Sequence, residues 1–246
     1  MKRLITGLLL LNFFQMAEGQ TLKEVAYNDG DQKLNGLVTD NTGEKRPGVL
    51  ILSAWMGIDD EAKNAALNLA KKGYIAFIAD IYGEGNIPKT MPDAAKIATT
   101  FKSDYQLYQQ RISLALEELK KSGADESKLA VIGYCFGGTG ALEAARANLP
   151  VQGIVSIHGG LSKGDRPNGP LQTKILVLHG ADDSNTSAKD LQDFRAELDA
   201  AGADWQMIYY AGCKHTFTNP ASPDYNEIMA NRSWKHTLLF LNELFE

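Results

Sequence analysis

Gly133-Tyr134-Cys135-Phe136-Gly137-Gly138 is the stretch that decides the fold. It follows an apolar run and precedes a segment with helical spacing, so a strand is predicted to turn directly into a helix at Cys135. Such a turn strains the backbone at its tip, and small residues are needed two positions before and two positions after it. Gly133 and Gly137 meet that need. The stretch therefore predicts a nucleophile elbow that carries a thiol.

Two interpretations of Cys135 are open at this point. Cysteine is among the most buried residue types, so the side chain could serve packing alone. Against this, the first turn of the following helix supplies free N–H groups and the positive end of its dipole, both of which favour a thiolate. The flanking glycines favour the reactive interpretation.

Size and composition describe an ordinary single domain. The chain has 246 residues, of which 44% are hydrophobic and 22% charged, and it contains no repeat that we can identify. This length suits one α/β domain with a large core. The net charge of −5 and the absence of a basic stripe argue against a nucleic-acid partner.

Residues 1–19 have the pattern of a secretory signal peptide. Lys2 and Arg3 precede the apolar run Leu4–Met16, and small residues follow, with cleavage predicted after Gly19. The run is too short for a spanning helix. The alternatives are a buried N-terminal helix or a membrane anchor. Export predicts a periplasmic or secreted protein whose single domain is residues 20–246.

The rest of the chain alternates strand-like and helical segments. A polar cluster between Val25–Tyr27 and Lys33–Val38 predicts an initial hairpin. Strands are predicted at Gly48–Leu52, Tyr74–Ala79, Leu129–Ile132, Gly153–Ile157, Ile175–Leu178 and Trp205–Tyr210, and helices at Asp59–Lys72, Pro92–Ser122 with a break near Ser103, Gly137–Ala147, Ser187–Ala201 and Asp224–Phe245. The fold class is therefore α/β, with a mainly parallel sheet covered by helices on both faces, and reactive groups are expected at the carboxyl ends of its strands.

A cysteine nucleophile needs a base. The four histidines are His158, His179, His215 and His236. Only His215 lies in a loop after the last predicted strand, which makes it the candidate base. His236 falls in the terminal helix, His179 is expected to fix a turn, and His158 ends a strand. Considered alone, His215 is as often a structural histidine as a base.

The base in turn needs an orienting acid. Asp182 and Asp183 both qualify. The H-G-x-x-D spacing from His179 favours Asp183, with Asp182 as a turn or capping residue. The order Cys135, Asp183, His215 is the nucleophile–acid–base order of the α/β-hydrolase arrangement.

Further motifs accompany the elbow. They are Gly73-Tyr74 leading to Asp80-Ile81-Tyr82-Gly83, Ile157-His158-Gly159-Gly160-Leu161, His179-Gly180-Ala181-Asp182-Asp183, and His215-Thr216-Phe217 followed by Asn219-Pro220. With the elbow, they make the chain resemble the dienelactone hydrolase family from about Val25 to the C-terminus. The resemblance implies an α/β-hydrolase fold and a triad of Cys135, His215 and Asp183 that opens a small-molecule ester or lactone through an acyl-thioester.

The resemblance also places the other parts of the site. It implies an oxyanion hole made by the backbone N–H groups of Phe136 and Trp55. Trp55, Met56 and Tyr82 predict an apolar, aromatic-lined substrate pocket, and His158 is predicted to line it as well. The alternative is that some of these side chains belong to the core, with Trp55 the strongest candidate to face substrate.

Three positions depart from the family pattern. Dienelactone-cleaving members carry a glutamate at the position of Ala54, where it helps to control the proton of the thiol. They also hold the substrate carboxylate with two arginines, at positions that are Glu84 and Asn219 here. The departures predict that neutral or cationic esters, thioesters or lactones fit better than dienelactone.

Other classes of function remain as alternatives. A non-catalytic small-molecule binding protein on a hydrolase scaffold is compatible with the loss at Ala54. A thiol redox protein lacks support because no C-x-x-C motif occurs. Cys213 lies two residues before His215, so a reversible disulfide with Cys135 is a hypothesis. No metal-ligand spacing or phosphate loop occurs, and no cofactor is predicted.

Overall fold

The computed structural model describes residues 21–246, so the predicted signal peptide lies outside the described residues and stays a prediction. Within this range the strands are β1 (Leu22–Asp29), β2 (Gln32–Thr39), β3 (Arg46–Leu52), β4 (Ile75–Ile78), β5 (Ala124–Tyr134), β6 (Gly153–Ile157), β7 (Lys174–Gly180) and β8 (Trp205–Tyr210). The helices are α1 (Asp60–Ala70), α2 (Met91–Ser103), α3 (Tyr105–Lys121), α4 (Phe136–Arg146), α5 (Ala188–Ala201) and α6 (Glu227–Phe245).

The described strands form one sheet in the order β1-β2-β4-β3-β5-β6-β7-β8. The β1–β2 and β2–β4 pairs are antiparallel, and every pair from β4–β3 to β7–β8 is parallel. An antiparallel start followed by strand–helix units was the predicted arrangement, and it is confirmed. The carboxyl ends of β5, β7 and β8 consequently meet along one edge of the sheet.

Alternate residues of the central strands supply two separate hydrophobic clusters. In β3, Leu50 and Leu52 belong to one cluster, and Val49 and Ile51 to the other. Successive side chains of a strand point to opposite faces, so both faces of the sheet are covered. The first cluster includes side chains of α2, α3, α4 and α5, and the second includes those of α1 and α6. This explains the continuous apolar runs in the sequence.

Helix boundaries follow local capping. The predicted break near Ser103 occurs at Asp104, which ends α2 and whose side chain accepts the N–H of Leu107 to begin α3. α6 begins at Glu227 rather than at the predicted Asp224, because Asn226 provides the cap by accepting the N–H of Met229. Sequence periodicity identified both helices, whereas the capping side chain sets where each one starts.

One strand is longer than predicted. β5 begins at Ala124, five residues before the predicted Leu129, and pairs with the start of β3 through an irregularity between Pro47 and Gly48. The added residues include exposed polar side chains, so a search for apolar runs does not detect this part of the strand.

Within residues 21–246, every helix is too short or too polar to span a membrane.

Candidate active site

The turn between β5 and α4 is as sharp as the sequence predicts. Cys135 adopts φ 52°, in the left-handed region, and α4 begins at the next residue. A Cβ at Gly133 would overlap the carbonyl of Gly137, and a Cβ at Gly137 would overlap the carbonyl of Leu52. Only glycine allows β3, β5 and the start of α4 to approach this closely. The Cys135 side chain is consequently presented at the tip of the turn and is partly exposed.

The structure brings together the three side chains selected from the sequence. His215 Nε2 lies 3.1 Å from Cys135 Sγ, and His215 Nδ1 lies 2.8 Å from Asp183 Oδ2. The second carboxylate oxygen of Asp183 accepts the N–H of Asn185 at 2.9 Å. The imidazole is therefore held between a thiol and an oriented carboxylate, the geometry of a nucleophile, base and acid.

The neighbouring aspartates have different environments. Asp183 is 7% exposed and its carboxylate contacts His215, whereas Asp182 is exposed and its backbone N–H donates to the carbonyl of Cys213. The geometry thus separates the two candidates, and Asp182 occupies a turn. Cys135 and Cys213 are both free thiols, and burial raises the pKa of the Cys213 thiol.

Electrostatics at the site favour a charged imidazole. Burial lowers the pKa of His215, but its hydrogen bonds to Asp183 and Cys135 outweigh this and raise the pKa to about 10. Burial raises the pKa of Asp183, and the hydrogen bond from His215 lowers it. The net result is that the pKa of that carboxyl lies below its usual value. The hydrogen bonds to Asp183 and Cys135 therefore stabilise the protonated form of the His215 ring.

We expect the His215 ring to stay protonated through neutral pH and to lose its proton near pH 10. In the unfolded chain the ring titrates near 6.5, so its contacts stabilise the fold fully below that pH and lose this contribution as pH rises through about 10. A ¹⁵N NMR titration measures the midpoint. In a Cys135→Ala control the midpoint should move to lower pH, and a midpoint near 6.5 in the unmodified protein would contradict the expectation.

The two predicted oxyanion donors lie on segments that are tied together. Gly137 N–H donates to the carbonyl of Ser53 at 3.1 Å, which joins the elbow to the loop after β3. Two residues further along that loop is Trp55, whose carbonyl accepts the Tyr82 hydroxyl at 2.9 Å. Phe136 is the first residue of α4, and a helix offers no internal acceptor for its first N–H groups.

Two of the predicted substrate contacts are almost fully buried. Tyr82 is only 3% exposed and His158 only 1%, and Tyr82 lies in the wall of a small cavity together with Ala54 and Phe136. The Tyr82 ring stacks on Phe136, with centroids 5.5 Å apart, while its hydroxyl supports the Trp55 loop. Aromatic type alone does not distinguish a pocket wall from the layer beneath it. Trp55 and Met56 are half-buried, and all four residues remain predicted contacts.

The structure also shows the surroundings of the three residues that depart from the family pattern. Ala54 is half-buried, and its methyl side chain cannot exchange a proton with the thiol. Glu84 is exposed. The Asn219 side-chain oxygen accepts the N–H of Ala221 at 2.8 Å, which commits it to a local turn. The two matching positions therefore offer no cationic grip for a substrate carboxylate.

A cavity of about 580 Å³ flanks the site. Gly160 and Asn185, from the loops after β6 and β7, form part of its wall, together with Arg166. Arg166 is held by an ion pair with buried Glu143, at 2.8 Å between Nη1 and Oε2. Cys135 does not line this cavity, which therefore extends beside the reacting groups rather than over them.

Sequence reasoning missed Glu61 and Thr218. His158 Nε2 lies 2.8 Å from Thr218 Oγ1, and the Thr218 hydroxyl donates to Glu61 Oε1 at 2.6 Å. Burial raises the pKa of Glu61 to about 7, and the hydrogen bond from Thr218 opposes the rise. No spacing rule connects Glu61 with the elbow, although the position of Thr218 three residues after His215 was a usable signal.

Among residues 21–246, no three His, Cys, Asp or Glu side chains are grouped so that they could hold a metal ion. At this edge of the sheet, the thiol of Cys135, the imidazole of His215, the carboxylate of Asp183 and the backbone N–H groups of the elbow lie together. Together they suit nucleophilic attack on a carbonyl carbon.

Comparison with known proteins agrees with this architecture. The family model described as "Dienelactone hydrolase family" matches residues 34–245. A Bradyrhizobium protein named "Probable 2-oxo-3-(5-oxofuran-2-ylidene)propanoate lactonase" is 27% identical over 225 residues, covering 87% of this chain and 90% of that protein. A Yersinia pestis protein named for carboxymethylenebutenolidase activity is 26% identical over 204 residues, covering 78% of this chain and 76% of that protein.

Solved structures include a close match in shape. The crystal structure of a dienelactone hydrolase-like promiscuous phosphotriesterase from metagenomic libraries superposes with a TM-score of 0.86 at 32% sequence identity, covering 93% of this chain and 100% of that one. The strand order, the elbow and the family match agree along nearly the whole described chain. The chain is a hydrolase-type enzyme and belongs to the dienelactone hydrolase family of the α/β-hydrolase superfamily.

Proposed function

We propose that the protein hydrolyses a carboxylic ester, lactone or thioester of a small molecule, with Cys135 as nucleophile, His215 as base and Asp183 as orienting acid. The observation that carries the proposal is the position of the imidazole, 3.1 Å from the sulfur and 2.8 Å from the carboxylate. A thiol within hydrogen-bond reach of an imidazole can transfer its proton to the ring, which produces the nucleophilic thiolate.

The mechanism has two halves. His215 takes the proton of the Cys135 thiol, and the sulfur attacks the carbonyl carbon. The N–H groups of Phe136 and Trp55 hold the oxyanion, and the alcohol leaves with the proton from His215. Water then loses a proton to His215 and attacks the acyl-thioester, which releases the acid and restores the thiol. Losing one oxyanion donor typically costs about a hundred- to a thousand-fold in rate.

Pre-steady-state kinetics test the proposal. With a p-nitrophenyl ester in excess, we expect a burst of about one equivalent of nitrophenol as the acyl-enzyme forms, followed by slower turnover. Iodoacetamide near neutral pH should alkylate Cys135 and remove the burst. Fast alkylation without hydrolysis would instead indicate a thiol redox protein, and neither response would indicate a binding protein on a hydrolase scaffold.

The substrate is further proposed to be neutral or cationic. By the resemblance, Glu84 and Asn219 match the positions of the two arginines. Trp55 and Met56 are apolar and half-buried. The Bradyrhizobium relative is named for a lactone that carries a carboxylate, so lactones remain a suitable class.

We expect kcat/KM for a neutral aryl ester to exceed that for dienelactone by at least about tenfold, the effect of one lost charged hydrogen bond. The measurement is steady-state hydrolysis of both, beside an aryl phosphotriester, since a structural relative is named for that activity. Glu84→Arg should reduce this difference in kcat/KM, because it introduces a cation at one of the two matching positions. Comparable turnover of dienelactone and the neutral ester would refute the preference.

A further inference from the structure

A second hydrogen-bonded chain reaches Cys135 through its backbone. Cys135 N–H donates to His158 Nδ1 at 3.2 Å and shares this donation with the carbonyl of Ile157 at 3.0 Å. His158 Nε2 contacts Thr218 Oγ1 at 2.8 Å, and Thr218 Oγ1 contacts Glu61 Oε1 at 2.6 Å. The nucleophile is thus linked to a carboxyl group on α1 that is distinct from Asp183.

Hydrogen-bond chemistry fixes which atom is the donor at each contact between the Cys135 N–H and Glu61. A backbone N–H can only donate, so His158 Nδ1 must be the unprotonated nitrogen. Burial, with the adjacent His215 adding to it, lowers the pKa of His158 to about 3, so the ring is neutral and its proton sits on Nε2. Nε2–H then donates to Thr218, and the Thr218 hydroxyl has its own proton free for Glu61. Glu61 offers an acceptor oxygen in either protonation state.

This series of hydrogen bonds connects two residues whose backbone conformations are strained. Cys135 has φ 52° and His158 has φ 41°, both in the left-handed region that residues with a Cβ rarely adopt. Such conformations persist only where surrounding contacts over-determine them. The hydrogen bond from Cys135 N–H to His158 Nδ1 connects these two residues directly, so fixing the His158 ring also fixes the backbone that carries the sulfur.

We propose that Glu61 and Thr218 are positioning residues for the nucleophile: they hold His158 as the Nε2–H tautomer, and that tautomer holds the Cys135 backbone so that the sulfur stays against His215. The effect on turnover rests on the proposed hydrolase function, whereas the tautomer does not. In the opposite tautomer, Nδ1–H would point at the Cys135 N–H, and two donors would face each other.

The neutral state of His158 also favours protonation of His215, the proposed base. The two imidazole rings are close, with centroids 5.2 Å apart. A positive charge on His158 would repel the imidazolium that His215 becomes when it takes the thiol proton. An acceptor at Thr218 keeps the single proton of His158 on the far nitrogen, where it is already hydrogen-bonded.

Histidine ¹⁵N NMR and kinetics on the full chain test the proposal. Long-range ¹H–¹⁵N correlations at neutral pH identify the tautomer of each ring, and His158→Asn, which tolerates the left-handed backbone, assigns the His158 signals. We expect the Nε2–H tautomer in the unmodified protein. Thr218→Val, which cannot accept, should give a mixture of tautomers and lower kcat about tenfold or more through misplacement of the sulfur, with KM little changed. Thr218→Ser should restore both.

A second pair of variants covers the case in which Thr218→Val does not fold. Glu61→Gln keeps an acceptor oxygen and should retain the tautomer, whereas Glu61→Ala should lose it in part. A protonated or Nδ1–H ring at position 158 in the unmodified protein overturns the proposal, as does Thr218→Val with an unchanged tautomer and kcat. Since the tautomer is read without substrate, failure of the positioning role is distinguishable from failure of the hydrolase proposal.

Discussion

Cys135→Ala is expected to lower kcat for ester hydrolysis by roughly a million-fold, the scale measured when the nucleophile of a comparable triad is removed. The sulfur forms the covalent acyl intermediate in the proposed mechanism, and no other nucleophile lies within hydrogen-bond reach of His215 Nε2 among the described residues. The measurement is steady-state and burst kinetics with a p-nitrophenyl ester on folded protein, checked by circular dichroism.

The second cysteine is the matched control for this variant. Cys213 is fully buried and packs in the hydrophobic cluster that includes Tyr210 and Phe217. Cys213→Ala should retain the burst, with at most a moderate loss of stability from the removed sulfur. Esterase activity that survives Cys135→Ala would contradict the assignment of the nucleophile. Mass spectrometry without reductant on the same proteins also tests the hypothesis of a disulfide between the two thiols.

The elbow was predictable because its constraint is local. Gly133 and Gly137 lie within two residues of Cys135, and the overlap that a Cβ would cause there follows from the turn itself. The parallel sheet was predictable for a related reason, since strands covered on both faces have no polar alternation. Cys135, Asp183 and His215 each follow a predicted strand of that sheet, which placed them together along the edge where the carboxyl ends lie.

The supporting residues were not predictable by the same means. Thr218 and Glu61 are 157 positions apart, and His158 and Thr218 are 60 apart, so their contacts exist only after α1 and the loop after β8 have packed. The burial of Tyr82 was missed for a similar reason. Its ring belongs to a stack with Phe136, formed by segments distant in sequence, and a residue type alone does not report which layer it occupies.

Asp183→Asn is expected to lower kcat by about ten-thousand-fold, as when the carboxylate of a serine-protease triad is replaced by an amide. Asp183 Oδ2 accepts the Nδ1–H of His215 at 2.8 Å, which leaves Nε2 facing the sulfur. An amide nitrogen at that position would donate toward Nδ1, favour the wrong tautomer and remove the charge that stabilises the imidazolium. KM should change little, because the carboxylate lies behind the imidazole.

The adjacent carboxylate supplies a control that few sites offer. Asp182→Asn has the same chemistry one residue away, but Asp182 is exposed, and the hydrogen bond that holds it in the turn comes from its backbone N–H to Cys213, which the substitution preserves. We therefore expect Asp182→Asn to leave kcat within about twofold and its stability within about 0.5 kcal/mol, the usual range at a surface position. If Asp182→Asn removed activity and Asp183→Asn did not, the acid would be assigned to the wrong carboxylate. Equal, small losses of kcat in both variants would show that the imidazole works without a carboxylate partner. They would also contradict the argument that the charge of Asp183 stabilises protonated His215.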